Sequence, residues 1–380
     1  MSTSVLRAAR ACVAASLLAL GAAVPIASAA AAGASARAPG AASSAKSAGA
    51  LTVTPAAAGA GWIARSMGAN GAVTDSYSHL ASAGDTANAI VALVAAGVGA
   101  NQVKAGTHWL EQNFASYVSA KGVDNPGRLS LVILAAVAAG ADPAHFGGRG
   151  KSNNLVARLA ATEKLTGAGA GSFGSQVNLN AYNQSLALLA LGATKSLGKG
   201  TRLGATFLAG LQCTDGGWEY SRIVATAPCA KPSPKNYASP DTNTTAIAVM
   251  ALVEVAGHIP HSPLSFFQAS QESNGSFALY GVAAGQQGDP NSTALVIQAL
   301  IALHALGNSQ FARGGSPEQA LVRFQYGCKA PSGEQGEFSS FGAANQLATL
   351  QAVPALAGDT MPVGRHMVSA AEPRLSCSAS

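Results

Sequence analysis

One segment combines an isolated acid with small polar residues at the start of an apolar run: SPDTNTTAIAVMALVEVAG, residues 239–257. Asp241 in this segment could protonate a bound substrate, but a lone carboxylate lacks the second acid that would keep it protonated and return its proton. The same position suits a helix N-cap, because the Asp side chain can accept a hydrogen bond from a free N–H of the following helix. Asp289-Pro290 repeats the pattern, so we interpret Asp241 first as a cap.

A second set of candidates is polar and recurs at the start of six apolar segments. When the segments are aligned on their Ala-Leu pairs, one column contains Thr86, Ser130, Gln184, Thr245, Thr293 and Gln346. The column before it contains Asp85, Leu129, Asn183, Thr244, Ser292 and Asn345, of which only the leucine is apolar. Short neutral donors and acceptors suit a ligand that carries amide or hydroxyl groups. Capping is the alternative explanation, although it does not account for the two glutamines.

The elements that must position these residues form a repeat. Ala-rich apolar segments end in glycine at Gly97, Gly140, Gly192, Gly257, Gly307 and Gly358, and a more amphipathic segment precedes each. Helix-forming residues that stop at a glycine predict two helices in every unit. The second helix of each pair is apolar nearly all round and should be buried, whereas the first keeps a polar face. We therefore predict an all-α fold, an (α/α)6 toroid whose inner ring of six helices lines a central cavity and whose outer ring surrounds it.

The sequence outside the repeats predicts export. Residues 1–29 resemble a secretory signal peptide, with Arg7 and Arg10 before an apolar run and Ala27-Ser28-Ala29 as a cleavage site. Residues 30–58 are mostly Ala, Gly, Ser and Pro and predict a linker, residues 59–358 the toroid, and residues 359–380 a C-terminal tail. A membrane anchor is the alternative, but the apolar run falls short of the roughly 20 residues that a span needs. We expect a secreted or envelope-associated protein without a stable membrane span.

Four cysteines remain after removal of the signal: Cys213, Cys229, Cys328 and Cys377. An even number in an exported chain predicts two disulfides. The sequence does not fix the pairing, although Cys213 with Cys229 would close one loop and Cys328 with Cys377 would tie down the tail.

The charged residues argue against two classes of partner. Only 11% of the chain is charged, and its lysines and arginines are scattered singly. Nucleic-acid binding requires basic residues clustered on one face, so none is expected. No metal site is expected either, because His304 has no neighbour at ligand spacing.

A motif between the two helices of a unit carries a family resemblance. Gln212-Cys-Thr-Asp-Gly-Gly-Trp218 is matched by Gln271-Glu-Ser-Asn-Gly-Ser-Phe277. The pattern Gln-x-x-Asp-Gly-x-Trp resembles the QW-type repeat of the squalene cyclase, prenyltransferase and squalene oxidase superfamily, a terpenoid cyclase-like group of α/α toroids. The same toroid occurs in cobalamin-binding transport proteins. The resemblance covers residues 57 to 358, and physically the motif reads as a tight turn whose aromatic folds back on the helix pair.

The enzymes of this superfamily imply chemistry that the sequence retains only in part. Squalene-type cyclases use an Asp-x-Asp-Asp motif, of which Asp241-Thr-Asn-Thr244 keeps only the first acid. Prenyltransferases hold zinc with an Asp and a Cys two residues apart, whereas Cys213 and Asp215 stand in reversed order. The inner helices also carry almost no aromatic residues to stabilise a carbocation.

Two hypotheses follow. The first is a secreted, non-catalytic toroid that binds a small ligand or an extracellular or envelope protein at a polar ring, as the cobalamin carriers do. Its ring is Asp85, Thr86, Asn183, Gln184, Thr244, Thr245, Ser292, Thr293, Asn345 and Gln346. No cofactor is predicted, although the resemblance admits a cobalamin-like ligand. The second is a terpene cyclase or prenyltransferase-type enzyme with Asp241 as its acid. A scaffold without a small ligand is a third alternative, and the loop 222–238 is either a lid or an inert insertion.

Overall fold

The computed structural model describes residues 53–233, 236–281 and 288–377. The predicted signal peptide and most of the predicted linker lie outside these residues. The helices are α1 (Pro55–Ser66), α2 (Ala83–Ala95), α3 (Ala100–Val118), α4 (Pro126–Ala139), α5 (Leu155–Ala161), α6 (Ala181–Ala193), α7 (Lys199–Gly210), α8 (Thr242–Glu254), α9 (Pro263–Ser270), α10 (Pro290–Ala302), α11 (Pro317–Val322) and α12 (Gln346–Leu356). Of the helices in the described ranges, none is long and apolar enough to cross a membrane.

Short irregular elements join the helices. Two 3-10 helices cover Lys151–Asn153 and Ser309–Phe311. Three antiparallel hairpins pair β1 (Val73–Thr74) with β2 (Ala81–Ser82), β3 (Ser119–Ala120) with β4 (Val123–Asp124), and β5 (Ser339–Ser340) with β6 (Ala343–Ala344). Each hairpin precedes an inner helix, so the strands shape one end of the molecule and contribute little to its core.

The even-numbered helices form a closed ring. Each packs against the next even-numbered helix, and α12 packs against α2. The odd-numbered helices lie outside, most of them against two consecutive inner helices, as α3 does against α2 and α4 and as α1 does against α12 and α2. The predicted all-α toroid with an inner and an outer ring of six helices is therefore confirmed.

The inside of the ring is packed. On α6, every residue from Asn183 to Gly192 is buried. Since a helix has one face toward the ring axis and another toward the outer helices, continuous burial means that solvent reaches neither face. At this helix the predicted central cavity is absent, and close-packed Ala and Leu side chains take its place.

All six inner helices begin with the same hydrogen bond. In each, the N-cap side chain accepts a bond from the backbone N–H three residues later; the caps are Ser82, Asn125, Asn180, Asp241, Asp289 and Asn345. Asp241 Oδ1 accepts from the Thr244 N–H at 2.6 Å, so the interpretation of Asp241 as a cap is confirmed. Since an outer helix returns the chain between successive inner helices, all six caps lie at one end of the toroid, which we call the mouth.

The polar column one turn further on anchors the turn motif. A side-chain oxygen in this column accepts a hydrogen bond from a backbone N–H of the preceding turn, at 2.9 to 3.4 Å, in the pairs Thr86 with Val73, Gln184 with Phe173, Thr245 with Trp218, Thr293 with Phe277 and Thr349 with Phe338. The four threonine hydroxyls also donate to the carbonyl of the cap residue. The column therefore ties the turn to the helix it precedes.

Two residues of the sequence alignment fall outside this column. Gln346 is the first residue of α12, and Thr349 occupies its place. Ser130 lies one position beyond Leu129, where its hydroxyl donates to the Pro126 carbonyl at 2.6 Å. The Ala-Leu pairs misaligned these two helices because such pairs occur at more than one register in an Ala-rich helix.

The glutamine of the turn motif joins neighbouring units. Gln212 donates to the His261 carbonyl at 2.9 Å, and its own carbonyl accepts from the His261 N–H at 2.8 Å. Gln271 donates to the Phe311 carbonyl in the same way. Gln325 donates to the Pro55 carbonyl at 2.8 Å, so this contact links the sixth unit to the first and contributes to ring closure. The predicted structural role of the motif is confirmed.

The described part of the tail first contacts the start of α3, at the end of the toroid opposite the mouth, and then runs along α1. The N–H groups of Gly99 and Ala100 donate to the carbonyls of Ala371 and Ser369, and Arg65 donates to the Pro373 carbonyl at 3.0 Å. The chain then reaches Cys377, which forms a disulfide with Cys328, and the second disulfide joins Cys213 to Cys229. These are the two pairings that the sequence left open.

The hydrogen bonds of Gln184 predict the effect of removing its side chain. In Gln184→Ala, the Phe173 N–H and the Gly171 carbonyl, which bind the amide at 2.9 and 2.7 Å, would remain buried without partners. We expect the free energy of unfolding to fall by about 3 kcal/mol, measured by urea denaturation.

Gln346→Ala is the matched control. The side-chain nitrogen of Gln346 is buried and has no hydrogen-bond partner among the described residues, so the expected change is within about 0.5 kcal/mol. Equal losses in the two variants would contradict the anchoring role of Gln184.

Candidate functional site

The mouth is built by the loops that precede the inner helices, and these loops expose apolar side chains. They are Tyr77 and Leu80 before α2, Val123 before α4, Val177 before α6, Tyr237 before α8 and Phe341 before α12. Val177 is 87% exposed and Phe341 is 68% exposed. Single exposed apolar residues are ordinary on a protein surface, but a set that shares one end marks a surface suited to binding.

A cavity of about 480 Å³ opens at the mouth between the β3–β4 hairpin and the loop before α6. We call it the mouth pocket. Its lining is Tyr117, Ala120, Lys121, Val123, Asn125, Arg128, Ser175, Val177 and Asn178. The volume and the mixture of apolar walls with a few polar groups are typical of small-molecule sites.

A chain of amides fixes one wall of the mouth pocket. Asn125 donates to the side-chain oxygen of Asn178 at 3.2 Å, and the Asn178 carbonyl accepts from the Asn183 side chain at 2.6 Å. Gly127 makes this arrangement possible, because a Cβ at that position would lie 1.9 Å from Asn183 Oδ1. Asn183 therefore positions a lining residue and does not line the pocket itself.

Another part of the pocket lining joins a cation to an aromatic ring. The guanidinium carbon of Arg128 lies 5.2 Å from the centroid of Tyr117, and Nη1 donates to the Tyr117 carbonyl at 3.2 Å. Burial raises the pKa of Tyr117 above its ordinary value, so the phenol stays neutral. Within the described ranges Arg128 forms no ion pair, and Lys121 adds a second positive charge at the rim. The pocket is therefore cationic.

The ten predicted ligand residues occupy other positions. Thr86, Gln184, Thr244, Thr245, Ser292 and Thr293 are completely buried, and Asn183 is 3% exposed. Asp85, Asn345 and Gln346 are half-buried, and burial raises the pKa of the Asp85 carboxyl, opposed by a hydrogen bond with Ser82. None of the ten lines the mouth pocket, so their role in binding stays a prediction.

The sequence reasoning missed Tyr117, Asn125, Arg128 and Asn178. One signal was available, because Asn125-Pro126 has the same acceptor-proline form as Asp289-Pro290. That form identifies a helix cap at the mouth but not the cavity beside it. Tyr117 and Asn178 belong to different units, and only the folded loops bring them together.

Asp241 lies at the same end of the toroid in an apolar and aromatic environment. It is 7% exposed, and the Thr244 hydroxyl donates to its second carboxylate oxygen. Burial raises the pKa of Asp241 well above its ordinary value, although hydrogen bonds from Thr244 and Asn243 oppose the shift. Burial also raises the pKa of the neighbouring Tyr182 to about 12. The mouth pocket does not include Asp241.

The described part of the loop 222–238 is tied to the body of the protein. The Cys213–Cys229 disulfide and a bond from the Ala230 N–H to Glu219 fasten it, and Tyr237 packs edge-on against Tyr280 with ring centroids 5.9 Å apart. Glu219 lies beside the two sulfur atoms, but sulfurs joined in a disulfide are not thiolate ligands for a metal. Whether the loop moves as a lid stays a prediction.

Comparisons with known proteins identify the fold. No protein-family model matches the sequence, and no curated protein matches it. Among solved structures, an unsaturated glucuronyl hydrolase specific for heparin is similar, with 12% identity, a TM-score of 0.56 and coverage of 80% of this chain and 95% of that chain. The type II terpene cyclase MstE from Scytonema is similar with 13% identity, a TM-score of 0.51 and coverage of 80% and 96%. The chain therefore has a terpenoid cyclase-like α/α-toroid fold, as its turn motif implied, and the likeness extends to the fold alone.

The raised pKa of Asp241 predicts how stability depends on pH. Between about pH 4, where an unfolded Asp has lost its proton, and the raised folded-state pKa, the folded protein keeps the proton on Asp241. Because the folded state holds this proton more tightly than the unfolded state, protonation of Asp241 stabilises the fold. The stabilisation is complete below about pH 4 and is lost as the pH rises through the folded-state pKa. Asp241→Asn retains a good cap and does not titrate.

We therefore expect the free energy of unfolding of Asp241→Asn, relative to the wild type, to increase between pH 4 and pH 8. Urea denaturation of both proteins at pH 4, 6 and 8 measures this difference. A difference that stays constant across the range would show that the pKa of Asp241 in the folded protein is not raised above that of an unfolded Asp.

Proposed function

We propose that the protein is a non-catalytic binding protein that holds a small organic ligand in the mouth pocket. The observation that carries the proposal is the mouth pocket itself, in which Val123 and Val177 face the same space as Tyr117, Asn125 and Arg128. Specific small-molecule sites combine an apolar enclosure with a few fixed polar groups in this way. The buried polar ring supports the site indirectly, through Asn183 and Asn178.

The lining favours one chemical class of ligand. The valines and the tyrosine ring suit an aromatic or alicyclic body, and the amides of Asn125 and Asn178 can both donate to and accept from hydroxyl or amide groups. The charges of Arg128 and Lys121 have no acidic partner among the lining residues, which favours an anionic or electron-rich substituent. The ligand that fits best therefore has a ring system with polar and anionic substituents.

Export remains part of the proposal. The Cys213–Cys229 and Cys328–Cys377 disulfides suit the oxidising environment outside the cytoplasm. A secreted or envelope-associated carrier would present its mouth, with the exposed side chains of Tyr77, Val177 and Phe341, to ligands or partner proteins in that environment. The predicted signal peptide at residues 1–29 would direct it there.

Native mass spectrometry of the protein purified from its own host tests the binding function. We expect a bound species that dissociates on denaturation. Val177→Asp places a carboxylate in the wall of the mouth pocket. The fold should tolerate the change because Val177 is already 87% exposed, and we expect ligand retention to fall at least tenfold.

Val224→Asp is the matched control, because Val224 is 52% exposed and lies in the loop 222–238, away from the pocket lining. Its retention should equal that of the wild type. Retention of the bound species by Val177→Asp, or its absence from the wild-type protein, would contradict the proposal.

A second candidate function is acid catalysis by Asp241 on an unsaturated prenyl substrate. The specific observation in its favour is the buried, protonation-favouring environment of this carboxyl, because a general acid must hold its proton until the substrate takes it. Incubation with linear polyprenyl substrates should then give a cyclised product. Asp241→Asn should abolish turnover and leave the helical circular dichroism spectrum unchanged, whereas a wild-type protein without turnover would exclude this function for the substrates tested.

A further inference from the structure

A second cavity lies on the outer wall of the toroid, away from the mouth pocket. It has a volume of about 600 Å³ and lies between the segment 144–151 and helix α5. We call it the basic groove and define it by His145, Arg149, Gly150, Lys151, Asn154 and Arg158, which line it together with three alanines. No acidic residue lines the groove.

The loop that carries Arg149 and Lys151 is firmly anchored. Phe146 is 1% exposed and packs edge-on against Phe114, with ring centroids 5.7 Å apart. Asn153 closes the loop, because its carbonyl accepts from the Phe146 N–H at 3.1 Å and its side chain donates to the Phe146 carbonyl at 2.7 Å. Gly147 lies so close to α3 that a Cβ would be 2.4 Å from the Glu111 carbonyl oxygen. The contacts of Phe146, Gly147 and Asn153 therefore hold the backbone of the loop in place on both sides of its tip.

Arg158 braces the same loop from α5. Its Nη1 donates to the Ser152 carbonyl at 2.8 Å, while Nε and Nη2 donate to the two carboxylate oxygens of Asp124 at 3.0 and 2.6 Å. This bidentate pair balances the charge of Arg158. Arg158 is therefore a positioning residue that supports the groove from below the loop.

The two cations at the tip are not balanced in this way. Arg149 and Lys151 are exposed, and they form no ion pair or side-chain hydrogen bond within the described parts of the chain. Besides these cations and Arg158, the groove has one more titratable group, His145, whose ring is bonded to Asp142 at 2.7 Å. The groove therefore carries two uncompensated positive charges on a loop that is anchored at its base.

Glycine leaves the backbone between these cations open. Gly148 and Gly150 have φ angles of 149° and 146°, which only glycine adopts readily. No side chain at either position screens the backbone from a ligand. The Gly148 N–H already donates to the His145 carbonyl at 3.0 Å, so the backbone N–H that an anion can approach here is that of Gly150, as in many phosphate sites.

We propose that the basic groove binds a phosphate group carried on a polyol or sugar. Arg149 would contact the phosphate through its guanidinium fork, Lys151 through its ammonium group, and the Gly150 N–H would supply a further donor. Phosphate has enough oxygen atoms to engage all three at once, which a single carboxylate does not. Ala144, Ala157 and Ala161 leave space for the carbon skeleton. The ligand is either a polymer of repeating phosphodiesters or a small phosphorylated sugar or polyol.

Binding of glycerol phosphate and of poly(glycerol phosphate) tests the proposal, measured by isothermal titration calorimetry at 50 mM salt. We expect the wild-type protein to bind at least one of the two. Arg149→Gln combined with Lys151→Gln should weaken that binding at least tenfold. Lys199→Gln combined with Arg202→Gln is the matched control, because it removes one lysine and one arginine, both exposed, from α7, outside the groove, and should leave the affinity unchanged.

The possible outcomes distinguish a small phosphorylated ligand from a polymer, and others would overturn the proposal. Equal affinity per phosphate for monomer and polymer would identify a small phosphorylated ligand, and binding of the polymer alone would identify an extended one. Equal weakening in the two double variants, equally tight binding of polyglutamate, or no binding of either phosphate compound would overturn the proposal. The mouth pocket is intact in both variants, so the result does not depend on its function.

Discussion

Enclosure of the inner-helix N-termini is the constraint on which the rest of the structure depends. A helix leaves its first N–H groups without partners inside the helix, and in a closed ring the starts of six such helices are crowded together and largely shielded from solvent. The cap side chain accepts a hydrogen bond from one of these N–H groups, and the threonine or glutamine one turn later accepts from a backbone N–H of the preceding turn. As a result, the buried polar side chains at the starts of the inner helices hold the turns and helices together.

The sequence predicted the fold well because local signals and the global arrangement agree. Glycine at the helix ends, helices apolar on all sides, and the turn motif at Trp218 and Phe277 all indicate a ring of helix pairs. It predicted the caps at Asp241 and Asp289 from the acid that precedes each apolar run. The sequence alignment placed Ser130 and Gln346 in the wrong column, because Ala-Leu pairs recur at more than one position in an Ala-rich helix. The sequence did not predict the mouth pocket, because Tyr117 and Asn178 come from different units and only the folded loops bring them together.

The two cavities lie where the repeat is least regular. Helix α5 has 7 residues against 19 in α3, and the groove lies between α5 and the long connection that precedes it. At the mouth, the β3–β4 hairpin replaces the turn motif found in other units, and the pocket opens next to it. Irregular segments on a rigid scaffold are the usual sites of binding, and the same toroid serves unrelated activities in the proteins it resembles.

The tail and its disulfide also have a consequence for biosynthesis. The ring closes only when α12 reaches α2, and Cys377 must reach Cys328 before the tail is fastened. The first unit is therefore without its neighbour on one side until nearly all the described chain has been synthesised. During that interval its apolar helices are open to proteases and to aggregation. A chain exported as an extended polypeptide avoids part of this exposure, because all six units then become available for folding within a short time of one another.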